Sequence, residues 1–158
     1  MATIYHQLWT SAPAATLYAA IARPEAIGTW WAPQTAVEAP DGVILEHSPR
    51  PAHGVVRLKV RQLVRDARVE WECISTHPPT SPAFGWIGTH ISFEISERPL
   101  PTWAQAPDGP TTTRVLDFRH SGWDERSEYL GFCSFAWGGV LEKLKQVCES
   151  VRPDALPR

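Results

Sequence analysis

The sequence predicts an α+β domain: a curved antiparallel sheet of about six to seven strands wrapped around one long C-terminal helix, with two short helices after strand one. Three observations carry this. Between Thr35 and His120 the chain alternates apolar and polar residues in stretch after stretch, separated by Gly, Pro and Asp turns, as half-buried strands require. From Tyr129 to Val151 the period becomes three and four, with Cys133, Trp137, Leu141, Leu144 and Cys148 on one side. A sheet with one apolar face and a single long amphipathic helix hide both surfaces by packing on each other.

Residues 3–9 alternate as a first strand. Ser11 is a good N-cap residue, Pro13 is tolerated in a first helical turn, and residues 14–21 are strong helix formers. Pro24 breaks that helix, because the residue before a proline is steered out of helical geometry. A second short helix, 25–31, ends on the paired rings Trp30 and Trp31, before Pro33. Residues 35–38 and 43–46 form a hairpin around Pro40, Asp41 and Gly42. In 55–64, Val56, Leu58 and Val60 alternate with Arg57, Lys59 and Arg61, and Asp66 with Ala67 turns the chain into 68–75, where Val69, Trp71 and Cys73 alternate with charged residues. Three prolines in 77–82 exclude a strand there. Residues 86–96 resume the alternation through Ile91, Phe93 and Ile95, and a second loop, 99–110, holds Trp103. The last strand, 111–120, places Leu116, Phe118 and His120 on one face and Val115, Asp117 and Arg119 on the other. Ser121, Gly122 and Trp123 turn it into a helix that Asp124 opens and Pro153 closes.

That helix is apolar almost all round from Tyr129 to Trp137 and narrows to one stripe from Leu141 onward. Its first half is therefore expected to roof a space and its second half to seal onto strands. Gly138 and Gly139 cost about 1 kcal/mol each against alanine in mid-helix, which marks close backbone approach or a bend.

At 158 residues the chain is expected to form a single domain over 1–152, with a tail at 153–158. Fifteen Lys and Arg against seventeen Asp and Glu, a net charge of −2 and no basic block argue against nucleic acid as a partner. No apolar run approaches the roughly 20 residues of a membrane span, so no membrane insertion is expected. Three cysteines in apolar segments, with no secretory segment ahead of them, fit reduced thiols in a cytoplasmic protein. Eight tryptophans suit a core and the walls of a pocket equally.

Several segments carry a family resemblance: 21–25 followed by Trp30 and Trp31, then 69–73, 86–91 and 118–123, and the helix pattern Tyr129, Cys133, Trp137, Leu141, Leu144 and Lys145. Over roughly residues 4–150 the chain resembles the START-like, or SRPBCC, superfamily with the helix-grip fold, and within it the branch of heat-shock-protein ATPase activator homologues. The resemblance implies a cavity between sheet and helix that takes a small hydrophobic or aromatic molecule, in a carrier or sensor. The same scaffold also serves cyclase and aromatase enzymes of polyketide pathways and a co-chaperone, so an enzyme and a protein-interaction module are the alternatives, the latter through an exposed patch such as Trp103 with Pro99 and Pro101. Loops 77–85 and 97–110 look longer than this branch usually shows. The protein is expected to be a monomer or a homodimer.

The expected cavity wall is Trp31, Trp71, Phe93, Phe118, His120, Tyr129, Phe132, Cys133 and Trp137, rings that would otherwise simply fill the core. His120 ends an inward-facing row. Two roles are open to it: general acid or base, or a structural partner of the Ser121–Gly122 turn backbone. Tyr129 is either a hydrogen-bond donor to a ligand or a wedge near the mouth, and in the cyclase- or aromatase-like alternative His120 and Tyr129 would be the proton donors. No carboxylate partner faces inward, since Asp117, Glu70 and Glu72 belong to the opposite, solvated face. Cys73 and Cys133 lack the basic or cationic neighbours that activate a thiolate. The scattered histidines form no metal motif, and no phosphate loop or nucleophile elbow is present, so no metal and no cofactor is expected.

Overall fold

A computed structural model describes residues 1–151; the predicted tail lies outside the described residues. Seven strands, β1 (Ala2–Thr10), β2 (Thr35–Ala39), β3 (Gly42–His47), β4 (Val56–Val64), β5 (Arg68–Cys73), β6 (His90–Pro99) and β7 (Thr112–Trp123), form one antiparallel sheet in the order β1-β7-β6-β5-β4-β3-β2. Helices α1 (Ala14–Ala22) and α2 (Pro24–Ile27) carry the chain from β1 at one edge to β2 at the other. Helix α3 (Leu130–Ser150) follows β7.

The alternation places one face of each central strand inward. Leu58 of β4, Val69, Trp71 and Cys73 of β5, Ile91 and Phe93 of β6, and Leu116, Phe118 and His120 of β7 are all buried. Against them α3 sets Cys133, Trp137, Leu141, Leu144 and Cys148, spaced by three and four so that they share one side. Each large side chain so buried contributes about 1.5–3 kcal/mol relative to exposure. The outer face is a lattice of ion pairs, Arg57 with Glu46, Arg61 with Glu72, and Arg68 with Glu70 and Glu94.

Four local expectations are corrected. Asp124 does not open a helix: its carboxylate accepts the Arg126 N–H at 2.9 Å and its carbonyl the Ser127 N–H at 3.0 Å, a turn that spends these donors before α3 begins at Leu130. Ser121 to Trp123 continue β7 instead of leaving the sheet. Gly122, at φ 90°, absorbs an extra residue where Thr3 pairs with Ser121 but Ala2 with Trp123. Ser11 is not the cap of α1, which Pro13 precedes; the Thr10 hydroxyl accepts the Ala12 N–H instead. Residues 86–89 are not strand: Pro82–Trp86 is a 3₁₀ turn capped by the Ser81 hydroxyl, which accepts the Ala83 N–H. The glycine pair of α3 leaves the helix unbroken. A Cβ on Gly138 would stand 3.6 Å from the His6 ring, whose Nε2 lies 3.0 Å from the Ser134 carbonyl, so the glycine marks close approach of β1.

Asp117 also differs from the solvated residue its face predicts. It is 5% exposed, and accepts from the Tyr5 hydroxyl at 2.6 Å, the Gln7 amide at 2.9 Å and Arg98 at 2.7 Å. Burial works against its charge, yet the hydrogen bonds from Tyr5 and Gln7 and the charges of Arg98 and Arg119 hold the carboxyl below its ordinary value.

Candidate functional site

Between the amino-terminal half of α3 and the open side of the sheet lies a cavity of about 210 Å³. Three indoles wall it: Trp31, delivered by the turn after α2, Trp86, at the end of the 3₁₀ turn, and Trp137 of α3. Trp86 and Trp137 stack at 19° with centroids 5.6 Å apart, and Trp31 stands 5.0 Å from Trp137 and 6.1 Å from Trp86. Val56, Cys133 and Val140 add apolar surface. Pro49, Ala136 and Phe132 are exposed and form the rim.

The polar side is made of His47, His53 and Ser81. His47 Nδ1 lies 3.1 Å from Gln34 Oε1. The Gln34 amide nitrogen donates to the Ala32 carbonyl, so its oxygen must accept, and Nδ1 of His47 carries the proton. Burial depresses the His47 pKa to about 4, and the ring is neutral at pH 7. His53 Nδ1 meets Ser81 Oγ at 2.7 Å. This is the spacing of a nucleophile and its base, but Ser81 is 1% exposed and its hydroxyl is already the cap of the 3₁₀ turn. The pair ties the β3–β4 connection to the 77–88 loop. His77 reinforces the tie: Nδ1 donates to the His53 carbonyl at 2.7 Å, and Nε2 accepts from Ser75, whose oxygen accepts the Arg57 N–H.

Of the nine residues expected to wall a cavity, Trp31, Phe132, Cys133 and Trp137 line this one. Phe132 does so from the rim, 62% exposed, and Phe135 beside it is 85% exposed, so the all-round apolarity of the helix is only partly matched by burial. Trp71, Phe93 and Phe118 lie beneath, fully buried and packed edge to face as core, with Trp71 stacked under Trp31. Their strand positions set the face correctly, but the tryptophan layer above separates them from the cavity. Tyr129 turns away: its hydroxyl donates to the Pro79 carbonyl at 3.0 Å, in a separate depression with Phe84 and Ile87.

His120 is wholly shielded from solvent. Trp137 Nε1–H can only donate, so Nδ1 of His120 accepts it, at 3.1 Å. The Thr89 hydroxyl donates to the Trp86 carbonyl at 2.6 Å, which leaves its oxygen to accept Nε2–H at 2.7 Å. Both nitrogens are committed and the tautomer is defined. Burial lowers the pKa to about 3. The ring touches two of the three cavity tryptophans, bonding Trp137 directly and reaching the Trp86 carbonyl through Thr89, where the structural role expected from the sequence was a contact with the Ser121–Gly122 turn. Burial raises the Cys133 thiol as well, and pushes Cys73 up to about 12.

Sequence reasoning missed Trp86, His47, His53 and Ser81. The signal that could have found Trp86 is Ser81-Pro82, a cap followed by proline at the first helical position, which breaks the strand assignment.

No protein-family model matches the sequence, and no curated protein matches it. Solved structures do. The Aha1 dimer from Colwellia psychrerythraea superposes with a TM-score of 0.70 at 22% identity, covering 95% of this chain and 98% of that one. Protein MLL2253 from Mesorhizobium loti gives 0.67 at 22%, covering 96% and 99%. CalU16 from Micromonospora echinospora gives 0.64 at 12%, covering 97% and 78%. What they share is the fold. The chain has the helix-grip architecture expected from its sequence, and at these identities the likeness extends no further.

Proposed function

We propose that this protein is an SRPBCC-type carrier or sensor that binds a small hydrophobic aromatic molecule in the cavity between sheet and α3. The observation that carries the proposal is the wall of three mutually packed indoles around a space that opens to solvent beside Phe132. At about 210 Å³ the space falls below the roughly 300–1,000 Å³ of sites for drug-sized molecules. It suits one or two rings better than a sterol or a long acyl chain. The dimeric Aha1 neighbour makes a homodimer a reasonable state for this chain.

The cyclase-like alternative loses its two candidate residues, since His120 is held neutral inside a closed network and Tyr129 bonds outside the cavity. Binding is tested by quenching of tryptophan fluorescence with neutral one- and two-ring aromatics, on the wild type and on Ala136→Trp, which places an indole at the exposed rim. Saturable quenching that the rim substitution weakens at least tenfold, with unchanged melting temperature, is expected. Equal quenching in both proteins would remove the cavity as the binding site.

A further inference from the structure

Phe132 and Phe135 stand on the outer side of α3, 62% and 85% exposed. Gly131, Ala136 and Gly139 share or flank that side and are exposed too, since positions three and four apart fall on one face of a helix. The face is apolar only beside the cavity mouth; Glu142, Lys143 and Gln146 follow it toward the carboxyl end. The fold gives no reason for glycine at 139. A Cβ there would meet nothing within 4 Å, yet glycine in mid-helix weakens the helix. Open space over a glycine, next to two exposed rings, admits a second backbone at close range. The two ends of the face differ in charge. The turn at 124–128 holds Asp124, Glu125 and Glu128 against Arg126, whereas 143–147 holds Lys143 and Lys145 and no acid.

We infer that this face is the interface of a homodimer in which the α3 helices of two copies pack antiparallel about a twofold axis between Phe135 and Ala136. That axis sets Phe132 over Gly139 of the partner subunit and Phe135 against Ala136 of the partner subunit, a large residue on a small one in every case. It also lays 143–147 along the acidic turn, whereas parallel pairing would set acidic turn against acidic turn. At about 200 Å² for a whole phenylalanine, the two rings hold about 300 Å² of exposed surface per copy. A symmetric pair thus buries about 600 Å² through four rings alone, half of the roughly 1,200 Å² at which stable interfaces begin. Ala136 and the helix backbone at Gly131 and Gly139 add to this, and the dimer is a weak, reversible one. A membrane surface is the poorer occupant, because headgroups are met by Lys and Arg, and this face is bordered by Glu142 and three carboxylates of the turn. Phe132 and Ala136 also form the rim of the cavity, so Phe135 of the partner subunit completes its mouth. Pairing needs no ligand, and it stands or falls apart from the proposed binding function.

The test is sedimentation velocity of the ligand-free full chain over a concentration series. The wild type is expected to pass from monomer to dimer between about 1 and 100 µM, as suits a small interface. Phe135→Ser and Gly139→Gln should each raise the dissociation constant about tenfold or more. Neither touches the buried core, and a side chain at 139 enters open space, so both variants should melt close to dilute wild type. Trp103→Ser, at a ring 81% exposed elsewhere on the surface, should associate like the wild type. Ala136→Cys puts a thiol beside the axis while the three native thiols are buried, so a short bismaleimide should join two copies of this variant and none of the wild type. A wild type that stays monomeric throughout, association that survives both α3 substitutions, or association that Trp103→Ser abolishes would overturn the interface. Dimers that the bismaleimide cannot join at residue 136 would overturn the closure of the mouth. Should Phe135→Ser not fold, Gly139→Gln decides.

Discussion

Acid should destabilise this protein through His120 more than through any exposed histidine. Its imidazole is shielded from solvent, accepts from Trp137 and donates to Thr89, and burial holds its pKa at about 3 against an ordinary 6.5. The unfolded chain binds this proton below pH 6.5, whereas the folded chain refuses it until about pH 3. Stability is therefore complete above pH 6.5 and is lost as the pH falls between those values. At pH 5 the unfolded group sits 1.5 units below its pKa, and at about 1.36 kcal/mol per unit the loss is about 2 kcal/mol. For a domain whose total stability is about 5–15 kcal/mol, that is a large share. Urea unfolding of the wild type and of His120→Gln, each at pH 8 and pH 5, measures the contribution. The amide can still accept from Trp137 and donate to Thr89, but it does not titrate. The wild type should lose about 2 kcal/mol more than the variant between the two pH values. Identical losses, or an imidazole resonance for His120 that titrates near 6.5 in the folded protein, would refute the closed network.

Two further predictions concern packing under the 77–88 loop and the polar cluster on the far face of the sheet. A Cβ on Gly85 would meet the Trp123 ring at 2.4 Å, and that ring is completely buried, so Gly85→Ala should lower stability by about 1–3 kcal/mol and shift the melting temperature accordingly. Asp117→Ala should cost about 0.5–1.5 kcal/mol in urea unfolding without altering any tryptophan quenching by aromatics, because it removes the acceptor of the Tyr5, Gln7 and Arg98 donors on the far face of the sheet, where water can replace it.

The inward faces of the strands were legible because burial on one side imposes a period of two. Val56 and Leu58, Val69 and Trp71, Ile91 and Phe93, and Leu116 and Phe118 all follow it. The buried stripe of α3 from Cys133 to Cys148 was legible for the same reason at its own period. Depth was not. Trp71 and Trp31 are both apolar and both packed, but one belongs to the core and the other to the cavity wall, and periodicity assigns a face without saying what lies above it. The polar side of the cavity was hidden for a different reason. His53, Ser81 and Trp86 come from irregular segments, where no repeating pattern constrains which side chains meet, and His47 stands at the very end of β3, where the strand pattern stops. Asp117 was misjudged because its neighbours Tyr5, Gln7 and Arg98 are brought to it by strand pairing across more than 100 residues in two of the three cases.

The division of labour between segments has a consequence for how such a protein can change. The apolar surfaces of the cavity from α3 and β4 also complete the core or its border, so altering them disturbs the whole domain. The polar groups of the cavity wall sit on the end of β3, the connection after it and the 77–88 loop, and the latter two are cross-linked by the hydrogen bonds of His53 with Ser81 and of His77 with the His53 carbonyl. These pieces can be exchanged as a set. A lineage built on this scaffold could thus reshape the cavity mouth by replacing two neighbouring loops together, provided the new loops keep a small residue against Trp123 and a ring against Trp137, while the sheet and helix beneath them stay as they are.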